Sequence, residues 1–202
     1  MTKFRTILVL AALGATLMLA GCGGKTVTRV DTGEQIDLSG NWNDIDSQNV
    51  AGDLVGEITA AAWVENHLEK SGKRPAIIIG SIRNKTVEHI PMKTLTADLE
   101  RALINSGRVL VVASPDEREQ LRNERQEQQD YASQETMARW GREHGADYML
   151  VGELNTIVDS EGNKQVKFYQ TDTYLVDLET NIKVWAGQTK TKKYIGTSKY
   201  RG

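Results

Sequence analysis

Residues 74–84 read RPAIIIGSIRN. Pro75 opens the run, Ile77, Ile78 and Ile79 follow, and no charge falls between Pro75 and Ile82. An uncharged, β-branched run of this length predicts a central strand buried on both faces. Downstream, a loop through His89 and Pro91 leads to a helical stretch with Leu95, Leu99, Ala102 and Leu103 on one side, closed by Gly107. RVLVVAS at 108–114 is the next strand. The three pieces form a strand–helix–strand unit, and if the strands are parallel neighbours the crossover is right-handed.

Upstream, QIDLSG (35–40) reads as a short strand and NWNDIDSQN (41–49) as a loop in which Asp44 or Asp46 caps a helix. That helix carries Val50, Leu54, Ile58, Ala61, Ala62 and Leu68 on one stripe, with Glu57, Glu65 and Lys70 off it. Beyond the second strand, residues 115–131 favour a helix that is polar nearly all round, with Leu121 and Tyr131 as its apolar contacts. Ser133 then caps a short helix with Met137 and Trp140 inward, ended by Gly145.

The last third changes period. Residues 147–159, 164–179 and 183–194 are β-type runs joined by 160–163 and by 179–181. Alternation of Val166, Phe168 and Gln170 against Lys167, Tyr169 and Thr171 fits hairpins with one wet face. The fold class is therefore α/β, a mixed β-sheet covered by helices and ending in a C-terminal antiparallel β-meander. Residues 35–195 make a single globular domain, and 196–202 a basic tail.

The start of the chain has a different character. Lys3 and Arg5 precede an apolar run over residues 7–19, the layout of a secretory signal in 1–21. The run is shorter than the roughly 20 residues a membrane span needs. Leu19-Ala20-Gly21-Cys22 matches the lipobox of bacterial lipoproteins, so Cys22, the one cysteine of the chain, reads as the lipid-anchored N-terminus of the mature protein. No aspartate follows it, the pattern of lipoproteins sorted to the outer membrane, with the domain on the periplasmic side. Two or more acyl chains hold a domain stably at a bilayer surface. Residues 22–34 form a flexible tether with a reach of about 40 Å. With 1–21 removed, 23 basic residues stand against 27 acidic ones, a formal charge of −4 that argues against a nucleic-acid partner.

The chemistry-bearing residues do not assemble into a catalytic pattern. His67, His89 and His144 lack close metal-ligand spacing, so no metal site is expected. Asp44 and Asp46 form a carboxylate pair suited either to acid/base work on wall glycans or to helix capping, and capping needs nothing further. The serines lack a GxSxG elbow or an SxxK pair, and IIIGSIRNKT is not a phosphate loop, so neither nucleophilic catalysis nor a nucleotide cofactor is expected. Asn84-Lys85-Thr86 marks a loop that bonds its own backbone. Trp42, Trp63, Trp140 and Trp185 fall in four separate elements and read as core or core-edge residues rather than a glycan platform. The acidic face of 115–131 and the basic run Lys190, Lys192, Lys193, Lys199 and Arg201 read as solvated surfaces, with docking to an acidic protein, anionic lipid or acidic wall peptides as their functional alternative.

DLSGNWNDIDSQ, GSIRNKTVEHI, DLERALINSGRVLVVASPDERE, GADYMLVGELNTIVD and DLETNIKVWAGQ, in this order behind a lipobox, resemble the LpoB family over residues 35–190. These are outer-membrane lipoproteins that activate class A penicillin-binding proteins. The resemblance implies a domain like the N-terminal domain of TolB, with no enzymatic activity and no cofactor, that binds and activates a peptidoglycan synthase. Its best-known members carry a long proline-rich linker where this chain has about a dozen residues. GADYMLVGEL also resembles curli-secretion lipoproteins, which makes a structural or secretion-complex lipoprotein the alternative.

Overall fold

The computed structural model describes residues 27–129 and 145–196. Cys22 with the signal segment before it, the helix expected from Ser133 with Met137, Trp140 and His144, and the tail residues Lys199 and Arg201 lie outside the described residues. The chain divides into two compact units, 1–34 and 35–202. In the first, residues 27–34 are exposed and hold a turn in which Asp31 accepts from the amides of Gly33 (2.8 Å) and Glu34 (3.1 Å).

The second unit is α/β, and its described residues build one five-stranded mixed sheet. The isoleucine run forms β1 (Ala76–Asn84), flanked by β2 (Leu110–Val111) and β3 (Tyr148–Glu161), both parallel to it. The antiparallel strands β4 (Lys164–Asp177) and β5 (Lys183–Gly196) follow, giving the order β2-β1-β3-β4-β5. The expected meander is present, and β5 runs two residues past the expected 194. The expected strand at 108–114 shrinks to two residues, and residues 112–114 lead from it into helix α4 (Pro115–Gln129). Ser114 and Glu117 close a capping box there, the Ser114 amide donating to the Glu117 carboxylate at 2.7 Å.

Burial on both faces of β1 holds for Ala76, Ile77 and Ile78, whereas Ser81 and Arg83 are exposed. Between them the register against β3 shifts, with Ile79 opposite Leu150 and Ile82 opposite Gly152, so β1 carries an extra residue at Gly80 and Ser81. A side chain at Gly80 would stand 3.0 Å from Met149 and Val151.

Three helices pack on one face of the sheet. The single helix expected across Val50 to Leu68 is two, α1 (Asp44–Ala60) and α2 (Ala62–Ser71), because Ala61 is extended at φ −75° and ψ 149°. The break turns Trp63 and Val64 into the core, and the Trp63 indole donates to the freed carbonyl of Ile58 at 2.8 Å. Helix α3 (Met92–Ser106) buries Leu95, Leu99 and Leu103 as its spacing predicts. Together with Val50, Leu54, Ile58, Ile77, Leu150 and Leu175 they form one core. Each such side chain contributes about 1.5–3 kcal/mol on burial.

The expected strand at 35–40 is absent. Gly40 is left-handed at φ 69°, and the Asp37 carboxylate accepts from the side chains of Asn43 and Lys193, so side-chain bonds take the place of a backbone ladder.

Candidate functional site

The N-terminal segment of the domain is clamped onto β4 and β5 by two ionic clusters. Asn43, not Asp44 or Asp46, is the N-cap of α1: its side chain accepts from the Asp46 amide at 3.1 Å, and Asp46 returns a bond from the Asn43 amide at 2.9 Å. The same Asp46 carboxylate oxygen lies 2.6 Å from Lys193 Nζ, which also reaches Asp37 at 2.7 Å and the Asn41 carbonyl at 3.0 Å. Burial opposes the charge on Lys193, but Asp37 and Asp46 outweigh it and hold its pKa above the ordinary lysine value.

Glu88, on the loop after β1, is the centre of the second cluster. Its carboxylate accepts from Lys167 and from the Tyr169 hydroxyl, each at 2.7 Å, and from the Trp42 amide at 3.1 Å. Burial works against its ionisation and is outweighed by these three bonds, so its pKa sits below the usual glutamate range. Burial, followed by the bond to Glu88, pushes the Tyr169 hydroxyl strongly up. Trp42 closes the cluster, edge-on to Tyr169 at 5.4 Å and donating to Ser47 at 2.8 Å. Asp46 is 6% exposed and engaged by the cap and by Lys193, so this geometry supports capping rather than acid/base work with Asp44.

The other sequence candidates are dispersed. His67 Nδ1 meets the Tyr148 hydroxyl at 2.9 Å and its Nε2 lies 3.7 Å from Asp147, beside an open cleft of about 680 Å³ rimmed by Lys73 and Arg74. His89 is exposed on a loop. Trp63 is buried, and Trp42 and Trp185 pack against the core. Among the described residues no three His, Cys, Asp or Glu side chains group to hold a metal, and no helix is long and apolar enough to cross a membrane.

What remains is the sheet face turned away from α1, α2 and α3. Alternation puts Tyr169, Thr171, Thr173 and Leu175 of β4 inward and leaves Val166, Phe168, Gln170, Asp172 and Tyr174 on the outer face. Cross-strand register gives this face the rows Ile157–Phe168–Lys192, Asn155–Gln170–Lys190 and Glu153–Asp172–Gln188. Ile157 is 67% exposed and Tyr194 66%. An exposed isoleucine next to a half-buried phenylalanine, beside two lysines and a tyrosine, is the composition of a protein-docking patch. The sequence shows the alternation but not which set faces in, because the inward set holds two threonines and the outward set a phenylalanine. Nothing local marks Glu88, which finds Lys167 across 79 residues. Of the basic run, Lys190, Lys192 and Lys193 belong to β5, within the β-type run 183–194, and Lys193 is held in the clamp.

No curated protein sequence matches the chain. Among solved structures, the LpoB C-terminal domain from Salmonella enterica is 21% identical, covering 72% of this chain and 98% of its own, with a TM-score of 0.40. The corresponding domain from Escherichia coli is 19% identical with the same coverage and TM-score. The PelC dodecamer from Paraburkholderia phytofirmans is 15% identical, covering 59% of this chain and 73% of its own at a TM-score of 0.32. The family model described as peptidoglycan-synthase activator LpoB matches residues 46–191, from the first turn of α1 into β5. With well over half of its length matched, the chain belongs to the LpoB family of peptidoglycan-synthase activators.

Proposed function

We propose that this protein is a periplasmic lipoprotein, anchored in the outer membrane through Cys22, that binds a class A penicillin-binding protein and activates it without catalysing a reaction itself. The observation that carries this reading is the family match across the helices and sheet of the domain. The outer sheet face supplies a surface of suitable composition, with Ile157 and Phe168 flanked by Lys190 and Lys192. Activation requires the domain to bind the active synthase more tightly than the inactive one. A tenfold rise in rate drawn from that difference corresponds to about 1.4 kcal/mol.

The secretion-complex alternative needs strands that line a membrane. The outer face carries the row Glu153–Asp172–Gln188 at mid-strand, where a lipid-facing band would be apolar, and this weighs against it. The test is glycan polymerisation and peptide cross-linking by the cell's own class A synthase, purified in detergent, with and without the full chain. Saturable binding with a several-fold rise in either output is expected. Binding without a change in rate, or no binding, would sink the regulator reading.

A further inference from the structure

β5 is an edge strand with one side open. Its register with β4 runs from Lys183 to Gly196, and among the described residues no other backbone–backbone hydrogen bond involves it. An unpaired edge offers alternate amides and carbonyls to any extended chain that can align with it. Two devices blunt its ends. Val184 is an extra residue at the start, where Leu175 pairs with Trp185 but Val176 with Lys183. At the other end, residues 37–41 hold Lys193, and the Ile195 side chain occupies the place a side chain on Gly40 would take. Between them the described residues give 185–191 no backbone partner on that side.

The charge of this strand selects its occupant. β5 contains Lys183, Lys190, Lys192 and Lys193 and no acid. Lys193 is taken by Asp37 and Asp46, and Lys183 lies 3.6 Å over the Tyr174 ring. Lys190 and Lys192 are exposed and make no ion pair among the described residues. A second copy pairing antiparallel would set lysine near lysine, which is destabilising. An extended segment with acidic side chains two residues apart would instead place both carboxylates on the face that carries Lys190 and Lys192.

We propose that the open edge of β5 receives an extended acidic segment of the partner as a sixth strand, with Lys190 and Lys192 setting its register. Main-chain bonds give such a complex affinity, and the alternate side chains give specificity. The inference rests on the regulator reading and names how the partner is held.

The test combines hydrogen exchange on the full chain, with and without the class A synthase in detergent, with affinity measurements on Lys190→Glu/Lys192→Glu and Lys190→Gln/Lys192→Gln. Slowed exchange within 183–191 on binding is expected. At low salt the reversal should weaken binding more than tenfold and the neutral pair by less, with the gap narrowing at high salt. Binding that protects other segments while 183–191 exchanges unchanged, or affinities unmoved in both variants, overturns the edge-strand inference and leaves the regulator reading standing. Absence of any binding overturns both.

Discussion

Glu88 shows how one carboxylate can fix a segment of chain with no local signal to announce it. Its bonds to Lys167, Tyr169 and Trp42 tie the loop after β1 to β4 and to the entrance of α1. Lys167 and Glu88 side chains are only 12% and 15% exposed, so Glu88→Gln leaves a lysine without its counter-ion in a poorly solvated place. A loss of about 2–4 kcal/mol is expected, measured as the shift in the urea unfolding midpoint at constant slope. The pH dependence has a definite sign. Glu88 has a depressed pKa in the fold, so its contribution is complete above the ordinary value of 4.5 and fades as pH falls through the lower folded value. Wild type and Glu88→Gln should therefore converge in acid. Lys193 works in the opposite direction, its raised pKa giving a contribution complete below 10.5 and lost as pH rises beyond it. Curves for wild type and Lys193→Met should approach each other only in strong alkali. Thr189 gives a contrasting case: its hydroxyl is buried with no hydrogen-bond partner among the described residues, so Thr189→Val should leave stability unchanged or raise it by up to about 1 kcal/mol in the same unfolding assay.

Elements announced themselves in the sequence to the extent that hydrophobic period alone defines them. The leucines of α3, the isoleucines of β1 and the three long runs of the meander are legible because packing on one face needs no more than spacing. The two-helix break at Ala61 is not legible, since Ala60, Ala61 and Ala62 all favour helix. It is a tertiary effect: a continuous helix would carry Trp63 away from Tyr148, whereas the extended Ala61 sets their rings edge-on at 5.1 Å. The indole bond to Ile58 then replaces one lost helical bond. Trp63→Phe keeps much of the ring contact and removes that bond, leaving a buried carbonyl without its donor. It should cost about 1–2 kcal/mol by chemical denaturation, while Trp63→Ala, losing the ring as well, should cost about 3–5 kcal/mol.

At the scale of the whole molecule the question is reach. The proposed anchor at Cys22 and the first residue of the domain unit, Gln35, are separated by a tether whose full extension is about 40 Å, with a root-mean-square span of only about 20 Å. Within the domain, residues 37–41 are held by Lys167 and Lys193, beside the β3–β4 turn. The opposite ends of the fourteen-residue strands, with Leu178 and Ile182 exposed, therefore lie roughly 35 Å further along the sheet. A partner embedded in a distant membrane must then bring its docking segment toward the outer membrane, or most of the anchored population stays out of range. Inserting about 30 Gly/Ser residues after Thr32 would raise the root-mean-square span to about 35 Å without touching the folded unit. If reach limits activation, the lengthened protein should raise peptidoglycan synthesis in cells above wild type. In detergent, where geometry is free, the two proteins should activate the purified synthase equally. Cys22→Ala, which should move the protein from the membrane to the soluble fraction, separates tethering from docking: unchanged activation in detergent with altered output in cells is the expected pair. Equal cellular output from the short and long tethers would show that the partner spans the gap itself.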